Sequence, residues 1–157
     1  MQTSSICKNE FWFYFDFIGI LRIIETKGDD STLNEKNIST VVNGDLIVTH
    51  LIGKINTDDV IEWFNGFENS CQQFIGKGLK YKLLVDRKGY TPNHFSVQKV
   101  WKEKFFNDTI LNQSKAIAFL LEEGEIMNYL QQSNTKESVK FFDDYEQALH
   151  WLNNYPS

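Results

Sequence analysis

The stretch Leu79-Lys80-Tyr81-Lys82-Leu83-Leu84-Val85-Asp86 decides how this chain is read. Its first half alternates apolar and polar, as a strand near solvent does. Its second half is a continuous apolar run, the pattern of a strand covered on both faces. It ends on Asp86, and the turn-forming Arg87-Lys88-Gly89-Tyr90 follows. A buried strand ending in a carboxylate fits the centre of an open α/β sheet, where ligand crevices form beyond the carboxyl ends of the strands.

Outward from this strand, the apolar period switches between two and that of a helix. Upstream, Val60, Trp63, Phe64, Phe67, Cys71, Phe74 and Ile75 recur at helical spacing. Asn56 or Thr57 caps that helix, Asp58 and Asp59 lie in its first turn, where the dipole favours anions, and Gly76 or Gly78 ends it. Before it, two strands (38–42 and 46–55) flank Asn43-Gly44, a strong hairpin signal because both residues accept positive φ. Downstream, Thr91-Pro92 reads as the cap and first position of a second helix, with Val97, Val100, Trp101 and Phe105 on its apolar face. Residues 116–121 form another buried strand, ending at Glu122-Glu123-Gly124. A short helix (125–132), a last strand (139–142) and a final helix capped by Asp144 complete the chain. The order β-β-α-β-α-β-α-β-α predicts an α/β domain with a mainly parallel sheet, an N-terminal antiparallel hairpin and right-handed crossovers. Strands added in order at one edge put the helices chiefly on one face, and the opposite face then needs an apolar cover.

Residues 1–37 are read as an N-terminal extension and 38–157 as the domain. In the extension Phe11, Phe13, Phe15, Phe17, Leu21 and Ile23 share one face at period two, a strand signal. The run 11–24 is interrupted by Asp16 and Arg22 and falls short of the about 20 apolar residues a membrane span needs. Its flanks lack the basic start and small-residue cleavage site of a signal peptide. It is expected to cover the open sheet face. Gly28 to Asn37 reads as a polar linker.

The 157 residues are 41% hydrophobic and 15% aromatic, enough for one well-filled core. The net charge of −5, with no block of Lys or Arg, argues against a nucleic-acid partner. Cys7 and Cys71 have no metal-ligand spacing, and Cys71 falls on an apolar helical face as a small hydrophobe. A reduced, cytoplasmic setting is expected, which makes the glycosylation-type triplets at Asn37, Asn107 and Asn112 irrelevant. His50, His94 and His150 offer no pair spaced for a metal, and no P-loop, dinucleotide fingerprint or nucleophile elbow occurs. No cofactor is expected.

From about Ile38 to Leu152 the chain resembles the SpoIIAA-like proteins, related to the STAS domain and described alongside SEC14-like lipid-binding folds. The resemblance rests on an ordered set of stretches: Val48 to Thr57, Leu83-Leu84-Val85-Asp86, Trp101 in the next helix, Lys115-Ala116-Ile117-Ala118, and Val139-Lys140-Phe141-Phe142 followed by Ala148-Leu149-His150-Trp151-Leu152. It implies an STAS-like βα superhelix and a non-catalytic binding or regulatory role. Anti-sigma antagonists of that family carry a phosphorylated Asp-Ser pair after the central strand. Here the region reads Asp86-Arg87-Lys88-Gly89-Tyr90-Thr91-Pro92-Asn93-His94-Phe95-Ser96, with Thr91 and Ser96 as its only aliphatic hydroxyls.

The strand ends gather Asn56, Thr57, Asp86, Arg87, Thr91, His94, Glu122 and Glu123 as ligand-binding candidates. Trp63, Phe67, Trp101 and Phe105 either line an apolar pocket or are core. Three functions fit these residues: a module that binds a protein partner, a carrier of an apolar small molecule or lipid, and an enzyme using His94 and Asp86 as acid and base. Homodimerisation is open, given so much aromatic surface near the N-terminus. The carrier needs an apolar cavity of about 300 Å³ or more. The enzyme needs His94 within about 3 Å of an oriented carboxylate or a substrate proton.

Overall fold

The structure, a computed structural model, describes residues 35–156. The readings made for residues 11–24, and for nearly all of the extension, lie outside the described residues. Strand β1 (Asn37–Asn43) and strand β2 (Leu46–Ile55) form the hairpin, paired antiparallel from Asn37↔Ile52 to Asn43↔Leu46. Asn43 is the last paired residue, so the two-residue turn is Gly44-Asp45, one residue later than the sequence suggested. Gly44 takes φ 62° and, among the described residues, no non-glycine residue is positive, as a turn with glycine at its first central position requires.

Helix α1 (Thr57–Ile75) leads to β3 (Tyr81–Asp86). Then come a short β4 (Tyr90–Pro92), helix α2 (Phe95–Phe105) and a short α3 (Asp108–Gln113). The chain continues through β5 (Ser114–Leu120), α4 (Glu125–Ser133), β6 (Val139–Phe142) and α5 (Tyr145–Asn153). The sheet order is β1-β2-β3-β5-β6, with β4 continuing alongside the end of β2. All pairings except the hairpin are parallel. The sequence missed β4 and α3, which at three and six residues are too short to carry a period. Thr91-Pro92 is strand rather than helix start, pairing with Lys54 and Ile55, and His94 caps α2 instead.

The helices of the connections put their apolar stripes on one face. Ile47, Leu51 and Ile55 of β2, Leu83 and Val85 of β3, and Ile117 and Phe119 of β5 meet the buried sides of α1, α2, α3 and α4 there. The alternate residues Leu46, Val48, Leu84, Ala116 and Ala118 face the other way and meet Ala148 and Leu152 of α5. The second face is thus covered in part by α5, while the expectation that residues 11–24 cover it falls on residues outside those described. The last helix follows the last strand rather than joining two, so no crossover rule holds it to the first face.

β3 is buried at every position. The alternating half meets solvent only at Leu79 and Lys80, ahead of the strand; from Tyr81 on it is covered. Lys82 is 7% exposed, and its ammonium donates to the carbonyls of Leu152 (2.8 Å) and Tyr155 (3.1 Å). A cation at a helix C-terminus meets the carbonyls that lack partners within the helix and the negative end of the dipole. Tyr81, on the other face, donates its hydroxyl to the Ile110 carbonyl at 2.6 Å.

Cys71 is a buried small hydrophobe on α1. Burial pushes its thiol from 9.0 up to about 12, and burial also pushes the Tyr81 phenol up. Both groups stay neutral in the fold while the unfolded chain ionises at ordinary values. The contribution of Cys71 is full below pH 9.0 and is lost as pH rises toward about 12. Replacing Cys71 with alanine is expected to flatten the alkaline limb of a stability profile taken by denaturant titration from about pH 8 to pH 11. A limb of unchanged slope would contradict this account.

Candidate functional site

The carboxyl ends of β3 and β5 lie together beside the middle of β2, which runs on past them to pair with β4. His50↔Asp86 and Asp86↔Leu120 are direct partners across the strands. At this edge Asp86 is 7% exposed. Its Oδ2 lies 2.8 Å from His50 Nδ1, and its Oδ1 accepts the Lys88 N–H at 3.1 Å. The carboxylate thus fixes the imidazole and closes the turn after β3. Lys88 then reaches across, its ammonium donating to the Asp143 carbonyl before α5 at 2.7 Å. These contacts link β2, β3 and the β6–α5 turn.

Arg87 points the other way, because successive strand residues alternate faces. It is 3% exposed, not solvated as an arginine beside a strand end would suggest. Its guanidinium lies 3.9 Å from the Tyr90 ring centroid and 4.0 Å from that of Trp101, and it donates to Gln98 Oε1 at 2.6 Å. A planar, weakly hydrated cation between two ring faces satisfies both its charge and its shape. Asp86 and Arg87, both ligand-binding candidates, are therefore not brought together in one site. Burial pushes the Tyr90 phenol up, and Arg87 beside it pulls it partly back.

Asn56 is occupied by its helix. Its side chain accepts the Asp59 N–H and Asp59 accepts the Asn56 N–H, both at 2.9 Å, a complete capping box. Burial works against the Asp59 carboxylate, but the Asn56 N–H and the Lys36 ammonium hold it below the ordinary carboxylate value. Thr57 begins α1, exposed. Thr91 is half-buried in β4, and Glu122 and Glu123 are exposed in the loop after β5. His94 is exposed and turned onto its own helix: its Nδ1 accepts the Ser96 N–H at 3.2 Å and lies 2.9 Å from the Ser96 hydroxyl. It stacks on Phe95 at 4.3 Å between ring centroids. Asp86 takes His50, not His94, as its imidazole partner. That pairing follows from the β2–β3 register, which no local sequence signal marks.

Trp63, Phe67, Trp101 and Phe105 are all buried and packed on one another. Trp101 stacks on Phe105 at 5.0 Å, Trp63 on Phe67 at 5.1 Å and Phe67 on Phe105 at 5.7 Å. At these separations the rings are in contact and no ligand fits between them. The Trp63 N–H donates to the Thr49 hydroxyl at 2.6 Å, so the cluster is anchored to β2. A hollow of about 550 Å³ lies elsewhere, open to solvent beside β6 and rimmed by Gln131, Asn134, Lys136 and Glu137. None of the expected site residues lines it.

The architecture matches solved structures. An uncharacterized protein from Shewanella loihica PV-4 with a SpoIIAA-like fold superposes with a TM-score of 0.57 at 20% identity, over 80% of this chain and 99% of that one. A provisionally assigned anti-sigma factor antagonist from Thermotoga maritima gives 0.48 at 15% identity, over 74% and 95%. No protein-family model matches the sequence, and no curated protein matches it either. By its likeness to the Shewanella protein the domain has a SpoIIAA-like fold. Among the described residues no group of His, Cys, Asp and Glu is arranged to hold a metal, and no helix is long and apolar enough to cross a membrane.

Proposed function

We propose that this domain is a non-catalytic binding or regulatory module that acts through a protein partner, docked at the entry to α2. The observation that carries the reading is Phe95. It is 57% exposed at the carboxyl edge of the sheet, braced by the His94 ring and followed by an ordered helix. Large exposed aromatic side chains are enriched among the residues that anchor protein interfaces. The fold favours the same reading by resemblance to STAS-type modules, which place their regulatory residue at this helix entry. The phosphorylation switch of that family is not part of the proposal. Ser96 is engaged with His94, and Thr91 lies within β4.

The second reading, a carrier of an apolar small molecule, loses its proposed pocket to the ring cluster. Native mass spectrometry of the full-length protein against its denatured mass separates the two. The chain mass alone, or multiples of it, is expected. A reproducible extra few hundred daltons lost on denaturation would instead favour the carrier.

A further inference from the structure

We propose that β1 is a self-complementary edge on which a second copy of this chain docks, strand against antiparallel strand, around a two-fold axis at Thr40. The two edges of the sheet are built differently. At β6, Ser138 and Phe142 turn their carbonyls inward to β5, so Val139 and Phe141 face out. Those two outward carbonyls are already taken, by the side-chain amides of Asn134 and Gln131 from α4 and the turn after it. That edge is closed to a further strand.

Among the described residues the β1 edge has no such cover. Asp45 directs its carbonyl to Lys82 of β3. By alternation Leu46, Val48, His50 and Ile52 bond to β1, through their partners Asn43, Val41, Ser39 and Asn37. Ile38, Thr40 and Val42 therefore turn their N–H and C=O groups outward, where they have no partner among the described residues. Natural edges are guarded by Lys, Pro or a bulge. β1 reads Asn-Ile-Ser-Thr-Val-Val-Asn, with no charge and no proline, and its pairing with β2 runs without a shift.

The sequence also argues for the same strand as occupant. Read about Thr40 it is nearly symmetric: Asn37 meets Asn43, Ile38 meets Val42, Ser39 meets Val41 and Thr40 meets itself. An antiparallel two-fold pairing makes three bonded pairs, at Ile38, Thr40 and Val42, and so about six backbone hydrogen bonds. It opposes no like charges, and it covers Val41, which is 58% exposed. The result is one sheet continuous through both copies, an isologous dimer that closes on itself.

Sedimentation equilibrium of the full-length chain over a concentration series tests this, with two variants. The wild type is expected to reach twice the chain mass. In Ser39→Lys/Val41→Lys each new lysine faces another across the axis, and the protein is expected to be monomeric with unchanged far-ultraviolet circular dichroism. In Ser39→Lys/Val41→Glu every facing pair is opposite in sign, and dimerisation is expected to return. A wild type that stays monomeric overturns the proposal. A dimer that persists in the double-lysine variant, or fails to return in the lysine–glutamate variant, overturns the register.

Discussion

Trp101→Ala is expected to cost about 3–5 kcal/mol of folding stability, the range for emptying a large aromatic site in a core. Trp101 is fully buried and stacks on Phe105 at 5.0 Å with the planes 7° apart. It also touches Trp63 and forms one of the two ring faces that hold the Arg87 guanidinium. Truncation therefore leaves a cavity and strips a buried cation of half its aromatic sandwich. The two losses fall on one site, so the upper part of the range is expected. Urea denaturation followed by fluorescence of the remaining tryptophans measures it. A loss of under about 1 kcal/mol, below the cost of most core truncations, would mean that the rings are not the filled core described here.

Lys82→Met is expected to cost about 2 kcal/mol, the scale of hydrogen bonds made by a charged group. Methionine nearly keeps the volume, so packing changes little. What is lost is the ammonium that binds the Leu152 and Tyr155 carbonyls at the end of α5. Those carbonyls must then find water or stay unpaired. The effect is expected to be local, with amide exchange rising along α5 before it rises in β3. Uniformly raised exchange would contradict the capping role. If burying a lysine cost more than its bonds return, the variant would be more stable than the wild type.

The sequence carried the layered architecture because local periodicity encodes it. The stripe from Val60 to Ile75 can bury one face only as a helix, and Leu83-Leu84-Val85 is covered on both sides only in an inner strand. The Asn43-Gly44 signal set the hairpin, although the turn itself begins one residue later. The site was less legible. His50 meets Asp86 through the register of two strands separated by a helix, and parallel register leaves no mark in either strand alone. Lys82 looked solvent-facing because alternation reports which face a residue is on, not whether a later helix covers that face. Arg87 reads as a ligand-binding candidate in the sequence because its ring partners, Tyr90 and Trp101, lie on other elements.

The most direct test of the proposed function is a comparison of baits in an extract of the source organism. Phe95→Asp removes the exposed aromatic group at the α2 entry. Leu79→Asp removes an equally exposed apolar side chain, 53% against 57%, just ahead of the opposite end of β3. The account predicts one protein captured in stoichiometric amount by the wild type and by Leu79→Asp, and lost with Phe95→Asp. Capture that survives Phe95→Asp, or that fails equally with Leu79→Asp, would contradict it.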